Sequence, residues 1–208
     1  MSAPSVIAVI GAGSYGTALA IQVARQGRGV RLWGRNAEAM TQMAEARENA
    51  RYMPGCPLPD SLEPVAAMQA ALDGVEAVIV AVPSHALRET CAEVAKHLDN
   101  RVPVACAAKG LEPDSRKLPL DVIAEVLGED WPLAVISGPT FAREIGQGMP
   151  SAVSIGARDL ATGELFADAL HGAGFRAYTT DDIVGVQIGG AVKNVLAIGI
   201  GIADGLNL

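Results

Sequence analysis

Three stretches of the chain carry residues whose types and spacing could do chemistry. The first is the glycine-rich run at residues 11–16 (GAGSYG), which directly follows an apolar segment. In this pattern Gly11 permits a tight turn, Gly13 lets a pyrophosphate approach the backbone, and Gly16 allows the next helix to pack close to the strand. The N-terminus of that helix presents free N–H groups to an anion. The run predicts dinucleotide binding; a glycine turn without a ligand is the alternative.

The end of the second predicted strand bears on which dinucleotide is preferred. A site selective for NAD places an acid there, against the ribose 2′-hydroxyl. This sequence has Arg35 in that region instead. Since a guanidinium can accommodate a 2′-phosphate, we expect NADPH to bind at least as tightly as NADH. The alternative is a solvated surface arginine at the start of a helix.

The second stretch comprises polar residues that follow later strands. Lys109 comes after the strand predicted at 103–107, at the edge where ligands of an open parallel sheet lie, so we expect it to meet an anionic substrate or the cofactor. Gly138 follows another strand in a turn, and Thr140 stands just before the next helix, where it could meet an anionic ligand; the alternative is that Thr140 caps this helix. The two roles are compatible, because a capped helix start is also an anion site. His85 also follows a strand, but it has no cluster of partners and is expected to be solvated.

The third stretch is a lysine on an apolar helix, Lys193 within residues 189–194 (GGAVKN). Neighbouring Gly, Ala, Val, Ile and Leu residues would leave most of its side chain without solvent. Desolvation is expected to lower its pKa and so to prepare the amine for proton exchange near neutral pH, as hydride transfer between an alcohol and a ketone requires. The alternative is a lysine that extends out of the helix to water.

Short apolar runs that alternate with amphipathic stretches must position these residues. Strands are predicted at 6–10, 30–33, 77–82, 103–107, 133–137, 152–155 and 176–178, and helices at 14–25, 37–49, 86–97, 118–127 and 161–171. The Pro/Gly-rich residues 52–59 are expected to form a loop. This alternation predicts an α/β fold of the Rossmann type, with a doubly wound, mainly parallel sheet.

The apolar residues 183–202 approach membrane-spanning length, yet a central lysine is costly in a bilayer, so we expect a buried helix and no membrane insertion. No strand pattern follows this helix. We therefore expect residues 1–180 to form a dinucleotide-binding domain and residues 181–208 to form the first helix of a helical substrate domain whose remainder is absent.

Composition restricts the protein's partners and compartment. The formal net charge is -7 with the basic residues scattered, so nucleic acid is not an expected partner. The three cysteines lack metal-ligand spacing and fall in or beside apolar segments, so no metal site is predicted and buried thiols are expected. Residues 1–4 have no basic region, which argues against secretion. The predicted location is the cytoplasm.

Together these motifs resemble one family, the NAD(P)-dependent glycerol-3-phosphate dehydrogenases of bacteria. The resemblance rests on residues 11–20, 81–85, 109–111, 137–142 and 189–194, in order along nearly the whole chain. It implies reversible hydride transfer between NADPH or NADH and dihydroxyacetone phosphate, giving sn-glycerol 3-phosphate for phospholipid synthesis. A homodimer is expected for the full-length protein.

The resemblance also implies roles for individual residues. Residues expected to contact the cofactor are Gly11, Gly13, Ser14, Tyr15, Gly16, Arg35, Lys109 and Ala142. Residues expected to contact the substrate are Lys109, Gly138, Thr140 and Lys193. Lys193 would be the proton acceptor when glycerol 3-phosphate is oxidised. Because family chains continue through a helical domain that also holds the substrate, we expect these residues to bind the dinucleotide but to be incomplete for turnover.

Two other functions remain open at this point. The first is a different NAD(P)-dependent dehydrogenase that acts on a β-hydroxyacid, although Lys109 and the turn at residues 138–140 weigh against it. The second is a redox-sensing NAD(P)-binding module without catalysis. Such a sensor has no need of Lys193 on an apolar helix, so competence for proton transfer would distinguish the two classes.

Overall fold

The computed structural model describes residues 5–98, 100–172 and 174–206 and has an α/β architecture. The strands are β1 (Val6–Ile10), β2 (Gly29–Trp33), β3 (Leu62–Val65), β4 (Ala77–Val80), β5 (Val104–Cys106), β6 (Leu133–Ser137), β7 (Ser151–Ala157) and β8 (Phe175–Thr180). The helices are α1 (Ser14–Arg25), α2 (Ala37–Ala46), α3 (Met68–Leu72), α4 (Leu87–Ala95), α5 (Pro119–Leu127), α6 (Ala142–Gly146), α7 (Leu160–Leu170) and α8 (Ile183–Gly205).

The strands form one sheet in the order β3-β2-β1-β4-β5-β6-β7-β8. Every neighbouring pair is parallel except β6 and β7, which are antiparallel. The chain builds outwards from β1 to β3 and then returns to the other side of β1 for β4, so the winding reverses between β1 and β4. This confirms the Rossmann-type, doubly wound, mainly parallel sheet. At such a reversal the connections diverge and leave a crevice at the carboxyl ends of the strands.

Helices cover both faces of the sheet, which explains why the central strands are apolar along their whole length. Successive residues of β1 alternate between two cores: Ile7 and Val9 belong to one, and Ala8 and Ile10 to the other. All four are fully buried. Since side chains of a strand point alternately to opposite faces, a strand covered on both sides needs apolar residues at every position.

The seven predicted strands and six predicted helices are present, with modest shifts of their ends, and three short elements were missed. The strand β3 contains Glu63 and Pro64 and lies at the edge of the sheet, where a proline costs no ladder hydrogen bond. The helices α3 and α6 have five residues each, too few to show a helical period. Predicted helix 37–49 ends early because Arg47 adopts a left-handed conformation, φ 51°.

The prediction of a buried helix after residue 183 is wrong over most of α8. Asp182 caps its start by accepting from the Gly185 N–H, and its first turns pack on the sheet through Ile183 and Val186. Beyond them the apolar side chains Val195, Leu196, Ile198, Ile200 and Ile202 are 58–70% exposed. An apolar sequence predicts that a helix face needs a partner, but it does not say which residues provide one.

Within the described residues, no single helix combines the length and hydropathy that crossing a membrane requires. The two parts of α8, Ile183–Lys193 and Val195–Gly205, meet at a bend of 44° and have that length and composition only when they are taken together. Residues 1–4, whose composition argues against secretion, and residues 207–208 of the second predicted domain lie outside the described residues.

Candidate functional site

The glycine-rich run forms the turn between β1 and α1, and each glycine has a distinct surrounding. Gly11 has φ 122°, and a Cβ there would lie 2.5 Å from the Ala81 carbonyl oxygen. A Cβ on Gly16 would lie 1.9 Å from the Gly11 carbonyl oxygen. A Cβ on Gly13 would meet no atom within 4 Å. Gly11 and Gly16 are therefore required by packing, whereas Gly13 faces open space at the carboxyl edge of the sheet.

The N-terminus of α1 is open to an anion. Gly13 occupies the N-cap position, and no side chain among the described residues caps this end. The first intrahelical bond runs from the Thr17 N–H to the Gly13 carbonyl, so the N–H groups of Ser14, Tyr15 and Gly16 precede the helical ladder. Uncapped N–H donors and the helix dipole together favour a negatively charged group at this point.

A buried asparagine that the sequence reasoning did not single out supports the glycine turn from below. Asn49 is 4% exposed, and its Nδ2 donates to the Ala12 carbonyl at 3.0 Å and to Thr17 Oγ1 at 2.8 Å. These bonds join the turn to the first coil of α1. An asparagine at the end of a predicted helix carries no local signal of such a long-range role.

Arg35 lies beside this turn, just after β2. A Cβ on Gly34 would lie 3.0 Å from the Ala12 Cβ, which shows how closely the end of β2 approaches the glycine turn. Arg35 itself is exposed and precedes α2, whose N-cap is Asn36. Its cationic group is thus available at the sheet edge, next to the open helix N-terminus.

Four of the predicted site residues meet on the other side of the crevice. Lys109 Nζ donates to the Gly138 carbonyl at 3.3 Å and lies 4.6 Å from the centroid of the Tyr15 ring. The Tyr15 hydroxyl is 3.4 Å from Thr140 Oγ1. Burial raises the pKa of Tyr15 above 10.0, so this hydroxyl remains protonated near neutral pH. These contacts link α1 to the residues that follow β5 and β6.

Thr140 does not cap the next helix, so the capping alternative is wrong. The N-cap position of α6 is Phe141, and no side chain of the described residues bonds to that end. Thr140 is 6% exposed and its hydroxyl faces Tyr15 instead. A polar residue just before a helix can bond either to the free N–H groups of that helix or to a side chain distant in sequence. Here Thr140 contacts the distant Tyr15 hydroxyl.

Lys193 reaches the same region from α8. Its Nζ lies 5.0 Å from the centroid of the Phe141 ring. Lys193 is half-buried rather than enclosed, because much of α8 is exposed. Burial lowers the pKa of Lys109, and the nearby charge of Lys193 lowers it further. Two cationic side chains from different elements therefore face one region of space, an arrangement suited to an anionic ligand.

The remaining predicted residues lie around this group. Ala142 begins α6 and packs against the core next to the residues after β6. His85 is exposed in a short 3-10 turn, Ser84–Ala86, as expected for a solvated residue. The cysteines Cys56, Cys91 and Cys106 are buried free thiols, also as expected. The described residues contain no cluster of His, Cys, Asp and Glu that could hold a metal ion.

An ion-pair network that the sequence reasoning missed anchors the loop after Lys109. Arg88 on α4 donates to both Glu112 carboxylate oxygens at 2.9 Å and to Glu125 at 2.8 Å. The Ser115 hydroxyl also bonds to Glu112. These donors lower the pKa of Glu112 to about 2. Locally, the sequence shows only that Glu112 follows Lys109 closely in the chain, and this does not predict a contact with Arg88.

The glycine turn, the open helix N-terminus and the cationic crevice define a dinucleotide-binding domain of the kind found in nicotinamide-dependent dehydrogenases. Residues 6–162 match the family described as NAD-dependent glycerol-3-phosphate dehydrogenase N-terminus, and residues 182–208 match the corresponding C-terminus. The chain therefore belongs to the NAD-dependent glycerol-3-phosphate dehydrogenase family.

Individual relatives agree with this assignment. The chain is 49% identical over 198 residues to a glycerol-3-phosphate dehydrogenase [NAD(P)+] of Nitrosococcus oceani, with 95% of this chain and 58% of the relative covered. It is 50% identical to that of Thioalkalivibrio sulfidiphilus, with 99% and 62% covered. The chain thus spans about three fifths of the length of these relatives.

Solved structures show the same fold. The glycerol-3-phosphate dehydrogenase of Coxiella burnetii superposes with a TM-score of 0.90 at 40% identity, covering 98% of this chain and 62% of that one. The enzyme of Plasmodium falciparum superposes with a TM-score of 0.89 at 22% identity, covering 99% and 60%. The second likeness, at this low identity, concerns the fold alone.

Proposed function

We propose that the protein is an NAD(P)-dependent oxidoreductase that interconverts dihydroxyacetone phosphate and sn-glycerol 3-phosphate and supplies glycerophospholipid synthesis. The observation that carries the proposal is the convergence of Lys109 and Lys193 from separate elements. The Lys109 ammonium lies over the Tyr15 ring, in the first turn of the uncapped helix α1, and the Lys193 ammonium lies over the Phe141 ring, which follows Gly138 and Thr140. Family membership and the names of the bacterial relatives support the same reaction. These residues favour this reaction over the two alternatives, a hydroxyacid dehydrogenase and a non-catalytic sensor.

The residues present fit a nicotinamide dinucleotide. The empty volume above Gly13, which a Cβ would begin to fill, suits a pyrophosphate close to the backbone, within reach of the N–H groups of Ser14 and Tyr15. Gly11 and Gly16 shape that turn. Arg35 would hold a 2′-phosphate, so NADPH is the favoured cofactor and NADH the other candidate. Ala142 would also contact the cofactor.

The chain's own residues then have separable tasks in the reaction. When bound, the reduced nicotinamide supplies a hydride to the substrate carbonyl carbon. Lys193 would donate a proton to the C2 oxygen in reduction and accept it from the C2 hydroxyl in oxidation. Lys109 would face both cofactor and substrate, while Gly138 and Thr140 would contact the substrate. The lowered pKa of Lys109 fits two ammonium groups that share an anionic ligand.

Several coarser features of the protein belong to the same proposal. Residues 1–180 would be the dinucleotide-binding domain, and residues 181–208 the first helix of the substrate domain. Three buried free cysteines support a reducing compartment, and we place the protein in the cytoplasm. The full-length protein would act as a homodimer, without nucleic acid as a partner. Gel filtration with light scattering would test the dimer.

A turnover screen tests the reaction itself. The purified full-length protein is incubated with NADPH and, in parallel, dihydroxyacetone phosphate or a panel of β-ketoacids, and the loss of NADPH absorbance is followed. We expect oxidation of NADPH only with dihydroxyacetone phosphate. Turnover with a ketoacid alone would favour the hydroxyacid alternative, and tight NADPH binding without turnover of any substrate would favour the sensor.

A further inference from the structure

The contact between Lys193 and Phe141 has a feature that the proposed reaction does not by itself require. The Phe141 ring is 63% exposed, and its face lies 5.0 Å from the Lys193 ammonium. An ammonium over an aromatic face is attracted by the negative centre of the ring. The two residues come from different elements, since Phe141 precedes α6 and Lys193 lies on α8.

The backbone that carries the Phe141 ring is held on both sides. On one side, Thr140 is buried and its hydroxyl contacts Tyr15. A Cβ on Gly138 would lie 2.5 Å from the Ala152 carbonyl oxygen, so the turn before it is tightly packed. On the other side, the Phe141 carbonyl accepts from the Ile145 N–H at 3.2 Å. The Phe141 ring is therefore exposed, but the backbone that carries it is held in place.

The helix α8 approaches the end of β6 closely at Gly190. A Cβ on Gly190 would lie 2.6 Å from Ser137 Oγ, at the end of β6. Residues three apart on a helix share a face, so Lys193 lies one turn beyond this contact on the same side. That geometry carries the lysine side chain across the residues that follow β6 and brings its ammonium to Phe141.

We propose that Phe141 is a positioning residue for Lys193, holding the ammonium by its ring face and leaving the N–H donors free for the substrate; this rests on the proposed function. A carboxylate would hold the ammonium more strongly, but it would occupy those donors and repel an anionic substrate. The second lysine of the site has the same kind of support, since the Lys109 ammonium lies 4.6 Å from the Tyr15 ring.

A spectroscopic experiment tests the contact without relying on turnover. Lysines of the protein are reductively dimethylated with ¹³C-formaldehyde, which keeps their charge, and the Lys193 signal is assigned by its loss in Lys193→Met. Methyl protons above a ring face are shifted upfield by the ring current. We expect this shift in the parent and in Phe141→Tyr, and its loss in Phe141→Leu. A Lys193 signal that Phe141→Leu leaves in place overturns the proposal.

Tyr178→Leu is the matched control for removal of an exposed aromatic ring. Tyr178 is 61% exposed on β8, which runs antiparallel to the site-bearing β6 because β7 reverses the direction of the sheet. In the sheet register Tyr178 pairs with Ser154 and Ser154 pairs with Ser137, so Tyr178 lies two strands, about 10 Å, from the end of β6. Lys193 contacts the Phe141 ring and not that of Tyr178. We expect Tyr178→Leu to leave the Lys193 signal and the kinetics unchanged. A response equal to that of Phe141→Leu would mean that loss of any surface ring has this effect, and would overturn the proposal.

Kinetics with NADPH and dihydroxyacetone phosphate then test the consequence of the contact. Misplacing a reacting group by about 1 Å can cost on the order of 10²-fold in rate, so Phe141→Leu should lower kcat about tenfold or more, with the KM for NADPH unchanged. Phe141→Tyr should restore most of the rate. In a Lys193→Met background, Phe141→Leu should cause no further loss, because its effect acts through the lysine.

The outcomes separate this proposal from the proposed function. Full activity in Phe141→Leu overturns the positioning role and leaves the proposed reaction intact. An equal further loss in the Lys193→Met background also overturns it, since Phe141 would then act independently of the lysine. Absence of turnover in the parent refutes the proposed reaction alone, and the methyl signal still decides whether Phe141 holds Lys193.

Discussion

Replacing Gly16 by alanine sets two physical effects against each other. Gly16 lies in the first turn of α1, where helix propensity alone predicts that alanine stabilises the fold by about 0.5–1 kcal/mol. The new Cβ, however, would lie 1.9 Å from the Gly11 carbonyl oxygen and 3.1 Å from the Ala81 Cβ. The backbone oxygen would have to retreat by about 1 Å to reach even a tight contact.

The steric effect should exceed the propensity gain. Overpacking a close contact typically costs about 1–3 kcal/mol, and here the obstructing atom belongs to backbone, which cannot rotate away. For a domain of this size each kcal/mol corresponds to a shift of roughly 2–4 °C in Tm. We therefore expect Gly16→Ala to lower Tm by several degrees and also to weaken dinucleotide binding, because the glycine turn must move.

Gly13→Ala is the matched variant in the same turn. Gly13 has φ -78° and ψ -177°, a conformation open to any residue, and a Cβ there would meet no atom within 4 Å. Its Tm should stay close to that of the parent. The added methyl would occupy the space proposed for the pyrophosphate, so NADPH affinity should fall at least tenfold, about 1.4 kcal/mol.

Differential scanning calorimetry and calorimetric titration with NADPH are run on both variants and the parent. They give the melting temperature and the NADPH affinity of each protein. The reasoning is refuted if Gly16→Ala melts at or above the parent temperature. The pyrophosphate position proposed at Gly13 is refuted if Gly13→Ala binds NADPH as tightly as the parent does. Gly199→Ala, at an open position within α8, serves as the control in which only helix propensity acts.

Three further predictions concern single side chains. Lys193→Met should bind NADPH normally but lose about 10²–10⁴-fold in kcat, as expected for a general acid–base; turnover within a few-fold of the parent would make Lys193 structural. Arg35→Ala should weaken NADPH but not NADH in calorimetric titrations, and a tenfold preference of the parent for NADH would contradict this role. Glu112 has a pKa of about 2, lowered from 4.5, so its contribution to stability is present above pH 4.5 and is lost as pH falls towards 2. Thermal melts across that range should therefore show a smaller acid-induced loss for Glu112→Gln than for the parent, and identical acid limbs would exclude this contribution.

Much of the fold could be predicted from local pattern. The buried strands β1 and β6 were predicted with the observed ends because an apolar run bounded by turn residues is a local signal. The strand β3 was missed, since its proline and glutamate are acceptable only at a sheet edge, and edge position is a property of the assembled sheet. The exposed face of α8 was mispredicted because hydrophobicity does not identify a covering partner.

The sequence by itself determined which residues stand at strand ends: Gly11, Gly13 and Gly16 in the first turn, and Lys109, Gly138 and Thr140 after later strands. Their spacing is local, and a parallel sheet brings strand ends to one edge whatever the details of packing. Only the tertiary structure decided what these residues touch. The contact of Tyr15 with Thr140 spans 125 positions in the chain, and that of Arg88 with Glu112 joins α4 to a loop. Such contacts depend on strand order and on the approach of helices to the sheet, which no local periodicity encodes, because each is set by the packing of many side chains at once.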